Sequence, residues 1–408
     1  MSEGPVYTLP DRAYHDPVLY EREVDEIFGG AWTLAGHISE TERPGGYVTV
    51  MVGREPVVVV RSHDDGELRA LSNVCRHRAS LLVEGTGTCA KVMRCPYHAW
   101  TYRLDGTLAA APQARGFREF DRDAVRLPRF RVAELAGLIF VSTNPEAPPI
   151  EDVFGDLGDF LRSLGLERRV VHRYPANWRG RLLSRRGASS RQHASRYTEE
   201  YQANWKVLAD NYLEDYHVPV SHPGLTRLLD VKATDGEYAA YGEWSSVPLR
   251  KKSSKVLVER LYQRLARPMP GLPSDFHHGW GNIHLWPATF FEIYPHHVDT
   301  WQLQPTGLNS TVAVTMTLVD PSATLRDRLA RHLCHRLQDD VMDEDTELTD
   351  RVQVGLSAPS YHKGILNDEI ESSVVKFQNL VRSAIPEEDR ADNVRRPLGE
   401  AAAERDAT

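Results

Sequence analysis

The chain has 408 residues, 41% of them hydrophobic and 26% charged, the make-up of a folded globular protein that is too long for one ordinary core. Its 57 acidic and 49 basic residues leave a formal net charge of -8, which argues against a nucleic-acid binder, since phosphate contacts need a basic face. No aliphatic run approaches a bilayer span, and residues 1–12 are polar and contain proline, so neither a membrane anchor nor a signal peptide is expected and the location is read as cytoplasmic.

Residues 16–32 read as an amphipathic helix, with Leu19, Val24, Ile27 and Phe28 apolar among charges and Gly29-Gly30 as its stop. From residue 45 to 141 the texture changes to short β-rich runs, at 47–52, 56–61, 68–74, 92–95, 99–104 and 138–142. Turns such as Asp64-Asp65-Gly66 and Asp105-Gly106 punctuate them. Residues 144–149, with three prolines counted from Pro145, look like the exit from this all-β module. Arg179, Arg181, Arg185, Arg186, Arg191 and Arg196 lie among Ser and Gly and read as a mobile surface loop. Further on, 205–216 is expected to be helical, 290–294, 299–304 and 311–319 antiparallel strands, and 321–355 a long helix with Gly355 as its C-cap.

Four cysteines in a reducing compartment make a disulfide framework unexpected. Cys75-Arg76-His77 and Cys95-Pro96-Tyr97-His98 each sit at a strand-to-loop junction, so two loops can present two thiolates and two imidazoles to one region. Zinc also takes two Cys and two His, but zinc fingers group like with like. The interleaved pairs suit a Rieske [2Fe–2S] centre, where each loop gives one ligand to each iron. Cys89 and Cys334 lack a matching His and read as small apolar fillers.

A second donor set lies later. Glu214 and His217 stand three apart, on one helical face, and Pro219 lets the chain fold back to bring His222 beside His217. In the late helix Leu333, Leu337, Val341, Leu348 and Val352 form an apolar stripe, and Asp345 falls on it. A carboxylate on a buried face must be paired or bind a metal. Two His and one carboxylate would leave open positions on an iron; the alternative for Asp345 is a buried salt bridge.

The motifs Cys75-Arg76-His77-Arg78 and Cys95-Pro96-Tyr97-His98-Ala99-Trp100 resemble those of the Rieske non-haem iron oxygenases. Asn204-Trp205-Lys206, Asn211, Glu214, His217 and His222 are similar to the iron-binding helix of their α (terminal oxygenase) subunits. Glu344-Asp345 with Gln353-Val354-Gly355-Leu356 resembles the segment with the third ligand. The resemblance implies an α+β fold, a Rieske all-β domain at 41–150 and a helix-grip catalytic domain at 151–390; the amphipathic pattern makes 1–40 an N-terminal helical segment packing on the catalytic domain, and the charged, Ala-rich composition makes 391–408 a flexible tail. The resemblance also implies a homotrimer in which Cys75, His77, Cys95 and His98 hold a [2Fe–2S] cluster and His217, His222 and Asp345 hold Fe(II). Glu214, with Asn211 nearby, would bridge a Rieske His of one subunit to an iron-ligand His of the next. Electrons would come from NAD(P)H through a separate flavin/iron–sulfur reductase or ferredoxin, because Gly85-Thr86-Gly87 is only a fragment of a nicotinamide fingerprint.

Glu214 marks a departure. Many ring-hydroxylating members have Asp at that position with one more residue after the Asn; the variant here resembles the branch acting on choline, carnitine and betaines. The expected reaction is O2-dependent hydroxylation or oxidative demethylation of a small alkylated amine. Ring hydroxylation or O-demethylation of an aromatic compound is the alternative, and a Rieske electron carrier without oxygenase activity the alternative of another class. Among the crowded aromatics, Trp286, Phe291 and Tyr294 are the candidate substrate-pocket residues, able to cage an ammonium group or to stack on a ring.

Overall fold

The computed structural model describes residues 5–173, 191–193 and 196–386. Arg179, Arg181, Arg185 and Arg186 of the arginine-rich stretch, and the tail at 391–408, lie outside the described residues. No helix among the described residues is long and apolar enough to cross a membrane.

The β module is a seven-stranded antiparallel sheet in the order Thr33–His37, Leu138–Ser142, Arg129–Leu135, Leu68–Ser72, Glu55–Arg61, Gly46–Val52 and Thr86–Thr88. A three-stranded sheet, Val92–Arg94, Thr101–Arg103 and Leu108–Ala110, completes it. The uninterrupted Val57-Val58-Val59-Val60 run is explained by burial on both sides. Val58 and Val60 pack with Cys75, Cys95 and Trp100, whereas Val57 and Val59 face Val48 and Ile139. Thr33–His37 corrects the proposed 1–40 segment: all five residues are buried in the sheet edge beside Leu138–Ser142, so this part is strand and not helical. A strand covered on both faces has no alternation for periodicity to detect.

Upstream, Pro17–Arg22 is α-helical and continues as a π-helix through Glu23–Phe28. This segment packs on the second unit. Glu23 forms a buried ion pair with Lys206 and accepts from Trp205 Nε1 at 2.8 Å, and Tyr14 donates to Asp210 at 2.7 Å.

The second unit is built on a nine-stranded antiparallel sheet, whose centre runs Gly242–Pro248, Gly279–Leu285, Thr289–Tyr294, His297–Gly307, Ser310–Val319. Directly opposed residues on neighbouring strands share a face. One polar row therefore crosses the sheet as Asn282, Glu292, Asp299 and Thr317, and the row beside it contains Trp280, Tyr294 and His297. The helix Leu325–Leu356, started by a Thr324/Asp327 capping box, lies with its Leu333, Cys334 and Leu337 in one core with Trp280 and Tyr294. The expected stripe is buried only in its first half. Val352 is 50% exposed, and the buried line moves to Thr349 and Gln353. The helix runs through Gly355 to Leu356, with Ser357 as the C-cap. Arg196 also departs from the surface-loop reading: it lies in the strand Arg196–Tyr201, is buried, and pairs with Glu40 at 2.8 Å.

Candidate functional site

The two Cys/His loops are conformational twins. In the first, Cys75 N–H donates to Ser80 O (2.9 Å) and Ala79 N–H to Cys75 O (3.0 Å); in the second, Cys95 donates to Trp100 O (2.8 Å) and Ala99 to Cys95 O (3.1 Å). Ala79 and Ala99 both take left-handed φ angles, 57° and 59°, the turn that lets each loop fold back over its own cysteine. Cys75 and Cys95 are buried, and the His77 and His98 rings meet edge to face at 4.6 Å toward the surface. Trp100 stacks on His77 at 5.0 Å, and Tyr102 O–H lies 3.4 Å from Cys75 Sγ. Burial works against the Cys95 thiolate, but the backbone N–H groups of Tyr97 and His98 prevail and lower its pKa.

These donors fit a binuclear cluster. His77 Nδ1 is buried with no hydrogen-bond partner among the described residues, as a ligand nitrogen would be. Two buried thiols and two outward imidazoles, one of each from either loop, are the mixed donor set that a Rieske centre takes.

The second set assembles from three segments. The helix expected over 205–216 stops at Tyr212. Beyond its end Glu214 turns its carboxylate forward to accept the backbone N–H of Tyr216 and, at 3.1 Å, that of His217, which takes both groups out of helical pairing. Glu214 and His217 therefore meet across a turn, not along a helical face. His217 then leads into the short helix Val218–Ser221, and His222 precedes the next, which starts at Pro223. The long helix supplies Asp345. His217 Nε2 lies 3.1 Å from His222 Nε2, and Asp345 Oδ1 is 3.0 Å from His222 Nε2 and 3.5 Å from His217 Nε2. Asn211 Nδ2 donates to Asp345 Oδ1 at 3.2 Å.

Each of the two imidazoles is backed by a carboxylate. His217 Nδ1 is hydrogen-bonded to Glu214, and His222 Nδ1 to Glu344 Oε2 at 2.7 Å. With a proton on each Nδ1, two Nε2 lone pairs and a carboxylate oxygen face one point, an arrangement that suits a cation. Donor separations near 3 Å also match neighbouring ligands at bonds of about 2.1 Å. Burial lowers the basicity of His217, but hydrogen bonds to Asp345 and Glu214 outweigh it and raise its pKa to about 9. Metal loading must therefore displace a proton there. Glu344 was not singled out as a site residue: neither its position nor its charge distinguishes it from its acidic neighbours until the fold places it against His222.

A cavity of about 100 Å³ opens beside this trio, walled by Tyr212, Trp280, Glu292, Tyr294 and Gln338. It continues into an outer basin of about 790 Å³ that shares Tyr212, Glu214 and Asn282 with it. Of the three expected pocket residues, Tyr294 lines the cavity. Phe291 does not: strand alternation turns it to the other face of the sheet, into the core with Ile283 and Ile293. Trp286 packs instead near Trp205 and Phe377. Glu292 was missed, although its place between Phe290 and Tyr294 gives it the same facing as both. Burial pushes its pKa up to about 7 against hydrogen bonds from Tyr294 and Gln338.

Comparison with known proteins agrees with this geometry. The family described as "Rieske [2Fe-2S] domain" matches residues 31–126, and that described as "Ring hydroxylating alpha subunit (catalytic domain)" matches residues 188–387. The carnitine monooxygenase oxygenase subunit of Escherichia coli (strain K12) is 30% identical, over 87% of this chain and 86% of that protein. The glycine betaine monooxygenase oxygenase subunit of Chromohalobacter salexigens is 28% identical, over 91% and 84%. The crystal structure of the quaternary ammonium Rieske monooxygenase CntA with an inhibitor matches at a TM-score of 0.75 and 26% identity, over 93% of this chain and 96% of that one. A match to a catalytic domain as well as a Rieske domain removes the bare electron carrier from consideration. The chain belongs to the Rieske non-haem iron oxygenases, as an oxygenase α subunit that works with a [2Fe–2S] cluster, a mononuclear iron, O2 and electrons from a separate reductase.

Proposed function

We propose that this oxygenase hydroxylates or oxidatively demethylates a quaternary or otherwise alkylated ammonium compound. The observation that carries the reading is Glu292, a carboxylate set among Trp280, Tyr212 and Tyr294 in the cavity beside the His/His/Asp trio. Aromatic faces attract a desolvated cation, and a carboxylate within the same walls supplies its counter-charge. A neutral ring compound would gain nothing from Glu292 and would leave a buried acid to be desolvated. The outer basin adds Glu243 and Glu369 to the shared Glu214 and Asp215, against the single cation Lys232 among its described lining residues, an approach that is acidic on balance and favours a cationic substrate. The names of the relatives point the same way, to carnitine and glycine betaine, and the CntA structures include complexes with L-carnitine and gamma-butyrobetaine.

In this reading Cys75, Cys95, His77 and His98 hold the cluster, and His217, His222 and Asp345 hold the iron. When bound, the two centres supply the one-electron chemistry that activates O2. Glu214 and Glu344 fix the orientation and tautomer of the two imidazoles, and Asn211 steadies Asp345 through its hydrogen bond. Glu214 would also bridge to a Rieske histidine of a neighbouring subunit, which requires an oligomer, and the family resemblance makes that oligomer a homotrimer. A CntA structure is itself described in terms of inter-subunit electron transfer. The compartment is the cytoplasm, in keeping with four free cysteines.

The test is turnover with a matched reductase on a panel of carnitine, betaine, choline and neutral aromatic compounds, scoring formaldehyde and hydroxylated products. Ammonium compounds should be consumed, and Glu292→Gln should weaken their use selectively. Preferential turnover of neutral aromatics, unaffected by Glu292→Gln, would overturn the reading.

A further inference from the structure

The space for a substrate has two parts with different walls. The inner cavity beside the His/His/Asp trio holds Glu292 among aromatic rings, and the outer basin receives whatever extends from it. Sheet register relates the two. Ser245, Asn282 and Glu292 are directly opposed on three neighbouring strands, and Glu243 lies two residues before Ser245 on the same face. Strand and residue spacings put the Glu243 and Glu292 backbones about 12 Å apart, a gap that two side chains and a short substrate fill.

Among the described residues lining both spaces, Lys232 is the only Lys or Arg, and it is exposed. Glu214, Asp215, Glu243 and Glu369 share the basin with it. His284 adds no charge, because burial lowers its pKa to about 4. Lys376 lines the next cavity instead and is set over the Tyr238 ring at 3.3 Å. One place would still welcome an anion: the start of the helix Ser372–Ala384, whose first residues Ser372 and Ser373 reach the basin. The chain's own Glu243 already takes it. Its carboxylate accepts a hydrogen bond from Ser373, and Ser372 Oγ is engaged with the Tyr238 hydroxyl at 2.6 Å.

We propose that this basin, with Glu243 as its chief selector, admits alkylated ammonium compounds with an uncharged hydroxyl tail and rejects those that also carry a carboxylate. The inference rests on the ammonium reading above and narrows it. With the ammonium group beside Glu292, the tail points into the basin. A carboxylate there meets like charges and finds the helix start occupied, which costs affinity. A hydroxyl in the same place donates to those carboxylates. Glycine betaine and carnitine end in a carboxylate, whereas choline ends in a hydroxyl, so the preferred substrate is of the choline type.

The test is titration calorimetry on the holoenzyme with two matched pairs that differ only in tail charge. These are choline against glycine betaine, and hydroxybutyl-trimethylammonium against gamma-butyrobetaine. At pH 8 Glu243, its pKa pushed up to about 7 by burial, is mostly ionised. In each pair the alcohol should bind at least about tenfold tighter than the carboxylate. Glu243→Gln should narrow the ratio of the longer pair several-fold, mainly by a gain in gamma-butyrobetaine binding. Should that variant not fold, Glu369→Gln, at an exposed position, should narrow the same ratio. Tighter binding of the carboxylates, lost in Lys232→Ala, would make Lys232 a carboxylate anchor and overturn the proposal while leaving the ammonium reading intact. A ratio unmoved by removing either acid would overturn it too. If no member of either pair binds, the ammonium reading itself falls, and this inference with it.

Discussion

The two redox sites of this chain are built in opposite ways. The Rieske loops come from one small module. Their ligands are spaced by two local turns with the same hydrogen bonds and the same left-handed alanine, and their thiols are buried while their imidazoles face outward. The His217, His222 and Asp345 trio spans 129 residues of sequence, and no turn creates it. It exists because a helix stops early, a second bend returns the chain, and a long helix crosses over both. A site made by local turns should tolerate distant changes, whereas a site made by packing should depend on the residues behind its ligands, here Glu214, Glu344 and Asn211.

The sharpest break of that comparison is removal of one ligand from each site. Asp345→Ala should abolish product formation and lose mononuclear iron while leaving the Rieske absorption and spin signal intact. Wild-type turnover in this variant would make Asp345 a structural acid. Cys95→Ser should do the reverse, bleaching the brown colour while mononuclear iron stays. Simultaneous loss of both metals in either variant would mean that the two sites are not independently built.

Glu214→Gln comes next in size. It keeps a hydrogen-bonding shape and removes the charge, so both metals should remain and the Rieske centre should still be reduced by its partner. Product formation should fall by at least about 10–100-fold, with slow substrate-dependent reoxidation in a single turnover. Rapid reoxidation in the mutant, or an active monomer by light scattering, would refute the bridge. Glu344→Gln sharpens the contrast, because Glu344 holds the other imidazole in the same way. Its expected cost is about tenfold in iron affinity, read by metal titration, with normal electron transfer once iron is restored.

The smallest effect concerns Glu292. Losing the counter-charge should raise KM for a quaternary ammonium substrate roughly tenfold, about 1–2 kcal/mol, with kcat little changed. A pH dependence accompanies it. With its pKa raised to about 7, Glu292 is mostly protonated at pH 6 and mostly ionised at pH 8. A permanently cationic substrate should thus bind more tightly as pH rises through 7, and Glu292→Gln should flatten that profile. An unchanged profile in the mutant would assign the titration to another group.

Much of this was readable from residue order alone, and the reason is locality. The paired Cys and His motifs, the proline-bounded return from His217 to His222 and the long helix with its embedded Asp345 each depend on neighbours within a few residues, where turn chemistry and periodicity act. Periodicity did less well where burial is two-sided. Thr33–His37 shows no alternation because both of its faces are covered, and in the late helix the buried line leaves Val352 for Thr349 and Gln353. Only packing decided that Phe291 faces the core while Glu292 enters the cavity, since a strand puts adjacent residues on opposite sides and residue order does not say which side is hollow. Packing also set Glu344 behind His222 and brought His335 to Asp299: residues far apart in the chain meet only where sheet register and helix placement agree, and no spacing rule encodes both.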